Sequence, residues 1–107
     1  MQNAIENIKY MKWHQVYSTS ASSNLRSGNF ELKGSAVRVM WYAEGVDSSA
    51  WVSFDLYFSN GTGLGDWSSS GVKTGNNAVL ELSESGNYYL DITSSGTSYS
   101  VGVWDYY

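Results

Sequence analysis

The chain has no cysteine and no proline, a single histidine, and six Lys or Arg among its 107 residues. Without cysteine there is no disulfide framework and no thiolate metal site, so packing alone must hold the fold together. The six cations are scattered against ten carboxylates, giving a net charge of -4 and a pI near 4.6. Nucleic-acid binders gather Lys and Arg on one face to meet phosphates, so no nucleic-acid partner is expected. There is no run of about 18 apolar residues, so no membrane insertion by a spanning helix is expected either. The stretch Met1 to Tyr10 lacks the apolar centre of a signal peptide. The chain is therefore expected to be made without export or to be a mature domain carrying a new Met. In the second case an extracellular or cell-surface location is favoured.

Catalytic motifs are also scarce. His14 is the only candidate base for a Ser-His-Asp arrangement, and no Gly-x-Ser-x-Gly elbow accompanies it. It reads better as a partly exposed strand residue. The carboxylate pairs Glu81/Glu84 and Glu44/Asp47 fall at strand ends, where solvation explains them better than glycoside hydrolysis does. Gly61-Thr-Gly-Leu-Gly65 is followed by Asp66-Trp67-Ser-Ser-Ser, not by the helix a dinucleotide fingerprint requires. Asn60-Gly61-Thr62 is a glycosylation sequon with meaning only in a eukaryotic secreted protein. No enzyme and no cofactor is expected.

What the chain has in abundance is Ser, Gly and aromatic rings, with Tyr and Trp supplying most of the 16% aromatic content. Its length suits one domain, residues 1–107, able to bury roughly two-thirds of its unfolded surface. Period-two alternation recurs along it. Val37, Val39, Trp41 and Ala43 share one face of Ala36 to Glu44, opposite Arg38, Met40 and Tyr42. Val52, Phe54, Leu56 and Phe58 alternate with Trp51, Ser53, Asp55 and Tyr57. Shorter strands are expected at Asn29 to Lys33, near Trp67 to Lys73 and at Asn77 to Ser83. Gly86 to Ile92 and Tyr99 to Trp104, flanking Ser94 to Gly96, read as an antiparallel hairpin with one buried face. Ile5, Ile8 and Met11 suggest one helical turn before a strand starting near Lys9, and Ser18 to Ser27 reads as a loop. About eight strands and no long helix predict an all-β, two-sheet antiparallel sandwich of jelly-roll type. The predicted core is Phe30, Leu32, Val37, Val39, Val52, Phe54, Leu56, Phe58, Leu80, Leu82, Tyr88, Leu90, Ile92, Val101 and Val103.

The segments Phe54-Asp-Leu-Tyr-Phe-Ser-Asn-Gly61, Gly86-Asn-Tyr-Tyr-Leu-Asp-Ile92 and Tyr99-Ser-Val-Gly-Val103 resemble the bacterial pre-peptidase C-terminal domain and similar small secreted β-sandwich modules. The likeness spans about Asn29 to Trp104. It implies a non-catalytic jelly-roll accessory of secreted enzymes or surface proteins, sometimes binding calcium or helping to engage a polymer. Ser53 stands where that family often has a second Asp, so the calcium site loses a ligand. Asp55, Asn60 and Asp66 bracket a loop, but their spacing matches no calcium loop and no metal site is expected.

The aromatic residues carry the functional expectation. Trp51 and Tyr57 share the polar face of their strand, Tyr42 opposes the apolar face of its own, and Trp67 and Asn60 belong to the Asn60 to Gly71 loop. Flat rings beside Asn, Asp and Ser offer stacking with hydrogen bonding, as a glycan or protein partner requires. Trp51, Tyr57, Tyr42, Trp67 and Asn60 are therefore the candidate ligand contacts of a binding module. Cross-strand packing accounts for the same rings, as does a homodimer formed through an exposed sheet, which makes a structural homo-oligomer the alternative.

Overall fold

The computed structural model describes residues 12–107; the helical turn expected over Ile5 to Met11 and the strand start near Lys9 lie outside them. Nine strands follow in order: β1 (Trp13–Ala21), β2 (Leu25–Arg26), β3 (Phe30–Leu32), β4 (Ala36–Gly45), β5 (Trp51–Phe58), β6 (Gly63–Ser70), β7 (Lys73–Glu81), β8 (Gly86–Ser95) and β9 (Thr97–Tyr106). One sheet has the order β1-β9-β4-β7 and is called sheet A below. The other, sheet B, runs β2-β8-β5-β6 with β3 also paired to β8. Every pairing is antiparallel. A four-stranded and a five-stranded layer in this order form a jelly roll.

Chain neighbours mostly lie in different sheets, and β5–β6 is the one consecutive pair that hydrogen-bonds among the described residues. This corrects the expected terminal hairpin. β8 belongs to sheet B and β9 to sheet A, so Ser94 to Gly96 is a corner between sheets. Gly96 turns it at φ +64, and its carbonyl accepts the N–H of Val46. Period two marks both strands as half-buried but does not say which strand each one meets. Two further segments are more ordered than expected. β1 runs to Ala21 and β2 occupies Leu25–Arg26 within the expected loop, while β6 is a full strand starting at Gly63.

The core lies between the sheets. Leu32, Val37, Val39, Val52, Phe54, Leu56, Tyr88, Leu90, Ile92 and Val103 have no exposed surface, and Phe30 and Val101 are nearly as deep. Trp41, Ala43 and Tyr99 join them. Phe58, Leu80 and Leu82, expected in the core, are half-buried against it because they sit toward the ends and edges of the sheets. Three polar side chains that reach into the core are paired. Trp41 donates its indole N–H to Ser69 Oγ at 2.7 Å across the sheets, and the Tyr88 and Tyr99 hydroxyls donate to the carbonyls of Glu84 and Ser23.

Candidate functional site

Alternation that buries one side of each strand leaves two outer faces, and the chemistry of each follows from the cross-strand register. On sheet A the outward residues form rows: Gln15, Trp104, Arg38 and Val79; then Ser18, Gly102, Met40 and Asn77; then Ser20, Ser100, Tyr42 and Gly75. A register shift between Gln15 and Tyr17 lets β1 keep Gln15, Ser18 and Ser20 all on the outer side. Gly102, at the centre, has no side chain. The indole of Trp104 occupies the space above it, and a Cβ on Gly102 would stand 2.5 Å from Cη2 and 2.7 Å from Cζ3 of that ring.

The result is a groove of about 440 Å³ over β1, β9 and β4, within the range of small-ligand sites. Trp104, Met40 and Tyr42 provide apolar surface, Gln15, Ser18 and Ser100 provide donors and acceptors, and among the described residues no charged side chain lines it. Ser20 Oγ and Ser100 Oγ are 2.8 Å apart in a mutual hydrogen bond. The Tyr42 hydroxyl donates to Glu44 Oε1 at 2.9 Å, which fixes the ring and raises the phenol above its ordinary pKa. A second hollow of about 430 Å³ shares Ser20, Tyr42 and Ser100 and extends the groove toward Glu44 and Ser98. Tyr42 is 48% exposed, so its ring is free to stack. Beyond Trp104, Arg38 lies over the Trp13 ring at 5.6 Å, and Trp13 packs on Tyr106 at 5.0 Å.

Sheet B presents a different outer face. Arg26, Asp91, Asp55 and Asp66 stand in one row across four strands. Burial, then Asp66 and Asp91, push the Asp55 carboxyl above its ordinary pKa. Arg26 offsets the charge at one end, 3.4 Å from Asp91. In the next row Tyr57 stacks on Tyr89 at 5.2 Å, with the Arg26 guanidinium 5.0 Å from the Tyr89 centroid. Trp51, 43% exposed, lies at the far end between Ser95 and Ser70.

The five candidate contacts are therefore distributed over the molecule. Trp51 and Tyr57 are on sheet B, six residues apart on one strand, and Tyr42 is on sheet A at the opposite surface. Trp67 turns inward, opposite Phe54, and packs against the core. Asn60 sits in the β5–β6 turn, where its Oδ1 accepts the N–H of Thr62 at 2.9 Å. Asp55 and Asp66 face each other across β5 and β6, but Asn60 is engaged in that turn and does not join them. His14 stacks on Tyr107 at 3.8 Å and stands opposite Asp105 across β1 and β9, but both carboxylate oxygens of Asp105 are taken by the backbone N–H groups of Lys33 and Gly34. Trp104, Gly102 and the β1 serines were not anticipated as site residues. The available signal was Gly102 itself, a glycine inside a strand, which commonly marks a close approach.

No protein-family model matches the chain, and no curated protein matches it in sequence. Among solved structures, it is similar to the carbohydrate-binding module CBM6cm-2 from Cellvibrio mixtus lichenase 5A, solved in complex with cellotriose. The TM-score is 0.52 at 10% identity, covering 87% of this chain and 85% of that one. It also aligns with a chain of infectious bursal disease virus, Gx strain, at a TM-score of 0.42 and 11% identity, over 91% of this chain and 33% of that one. The first of these likenesses agrees with the β-sandwich, jelly-roll architecture of the chain.

Proposed function

We propose that this protein is a non-catalytic carbohydrate-binding module whose ligand lies in the groove over β1, β9 and β4. The observation that carries the reading is the lining of that groove: Trp104, Met40 and Tyr42 beside Gln15, Ser18 and Ser100, with no charge among the described residues. Aromatic faces meet the C–H faces of a pyranose, and short polar side chains meet its hydroxyls. The structural neighbour that binds cellotriose supports the class of ligand. As an accessory domain of a secreted or surface-exposed enzyme, the module would hold its partner near a polymer.

A second reading puts the ligand on sheet B, against Trp51 and the Tyr57–Tyr89 stack, with Asp55, Asp91 and Arg26 as polar partners. Calorimetric titration with cellotriose and a panel of neutral oligosaccharides separates the two. If the groove binds, Tyr42→Ala lowers affinity about tenfold or more at an unchanged melting temperature, while Trp51→Ala has no effect. The reverse pattern moves the site to sheet B. No heat with any glycan of the panel overturns the carbohydrate reading.

A further inference from the structure

Each sheet of an open sandwich ends in unpaired backbone N–H and C=O groups, and proteins normally blunt such edges. Among the described residues, three of the four edges are blunted. The pairing of β1 is broken by a register shift between Gln15 and Tyr17, and that of β6 by one between Leu56 and Tyr57. The edge beside β8 is divided into β2 and β3, of 2 and 3 residues. β7 is different: it is nine residues long and pairs with β4 from Lys73 to Glu81 in unbroken register.

The direction of its backbone groups follows from its ends. The Gly45 N–H donates to the Val72 carbonyl, and the Leu82 N–H donates to the Ser35 carbonyl. Residues 72 and 82 thus bond toward β4, and alternation assigns 74, 76, 78 and 80 to the same side. Lys73, Gly75, Asn77, Val79 and Glu81 therefore direct their N–H and C=O groups outward. The Asn77 N–H is held by the Asn76 side chain at 2.8 Å, a local bond that another donor–acceptor pair can replace.

We infer that β7 is the self-association edge of this protein, pairing antiparallel with β7 of a second copy about a two-fold axis at Asn77. Register and charge both select this partner. With Asn77 opposite its own copy, Gly75 meets the partner's Val79 and Lys73 meets the partner's Glu81. All five outward-directed residues then fall in hydrogen-bonded pairs, and the two opposite-charge pairs are equivalent by symmetry. Lys73 and Glu81 are both exposed, and neither has an ion-pair partner among the described residues, although Glu44 lies across from Lys73 on β4. Val79, 51% exposed, comes beside a glycine that leaves it room. The axis is normal to the sheet, so both sheet A outer faces point the same way.

Sedimentation equilibrium of the full chain from micromolar to millimolar concentration tests this pairing. The wild type should show a reversible monomer–dimer equilibrium. Glu81→Lys places like charges at both symmetric pairs and should weaken the dimer about tenfold, with the monomer's melting temperature retained. Combining Lys73→Glu with Glu81→Lys should restore it. Asn77→Pro removes an outward N–H without touching the β4 ladder and should abolish association in a folded protein. A wild type that stays monomeric throughout overturns the inference. So does a dimer indifferent to Glu81→Lys, or a double variant that is folded but no stronger a dimer than Glu81→Lys alone.

Discussion

The indole of Trp104 occupies the volume that a side chain at Gly102 would need, the two lying two residues apart on the outer side of β9. The hollow in sheet A depends on this arrangement. Neighbouring Ser100, Ser18 and Met40 stand around the glycine, and the ring forms one wall instead of covering the whole row.

Gly102→Ala should therefore act on the groove before it acts on the fold. The added methyl displaces the Trp104 ring, since contacts near 2.5 Å cannot persist. The expected outcome is a cooperative melt like that of the wild type, a shifted tryptophan emission maximum, and glycan affinity reduced about tenfold or more. An unshifted emission with unchanged affinity would mean that the ring has no part in the site.

A second prediction concerns the frame beneath the groove. Asp105 is fully buried, and its two carboxylate oxygens accept the N–H groups of Lys33 at 2.9 Å and Gly34 at 3.0 Å. These bonds fasten the turn between β3 and β4 to β9. Gly34 is needed there because a Cβ would strike the backbone of Tyr106. Asp105→Ala leaves both donors without a partner and should cost roughly 2–4 kcal/mol in chemical denaturation. A loss below about 0.5 kcal/mol would show that water satisfies the turn equally well.

A third prediction uses pH. The Asp55 carboxyl titrates above its unfolded value because of burial and of Asp66 and Asp91. The folded protein therefore holds this proton more tightly than the unfolded chain does. The corresponding stability is fully present below the unfolded carboxylate pKa and is lost as pH rises through the higher folded value. Asp55→Asn should accordingly stabilise the protein at pH 7 by a few tenths to about 1 kcal/mol, the range for like charges opposed on a sheet, and do little in acid. Equal stability of the two proteins at pH 7 would mean that solvent screens the aspartate row.

The strands were legible in the sequence where alternation was strong and both neighbours were apolar. Val52, Phe54 and Leu56 face inward as their period requires, and Trp51 and Tyr57 face outward. Strand partners were not legible, because the alternation of β8 and β9 is the same whether they pair with each other or lie in separate sheets. Trp67 looked like a loop residue because glycines and serines surround it, yet the extension of β6 carries it to the core opposite Phe54. The groove was the least legible part. It draws on β1, β4 and β9, far apart in the chain, and its central residue is a glycine whose importance lies in the missing side chain.

The central claim is that a neutral glycan occupies the groove of sheet A, and amide chemical-shift mapping during titration with neutral oligosaccharides tests it most directly. The account predicts saturable shifts at Ser18, Ser100 and Gly102 and at the Trp104 indole N–H, with the resonances of Trp51, Tyr57 and Tyr89 unmoved. Shifts confined to Trp51, Tyr57 and Tyr89, or none at the groove with any sugar, would contradict it.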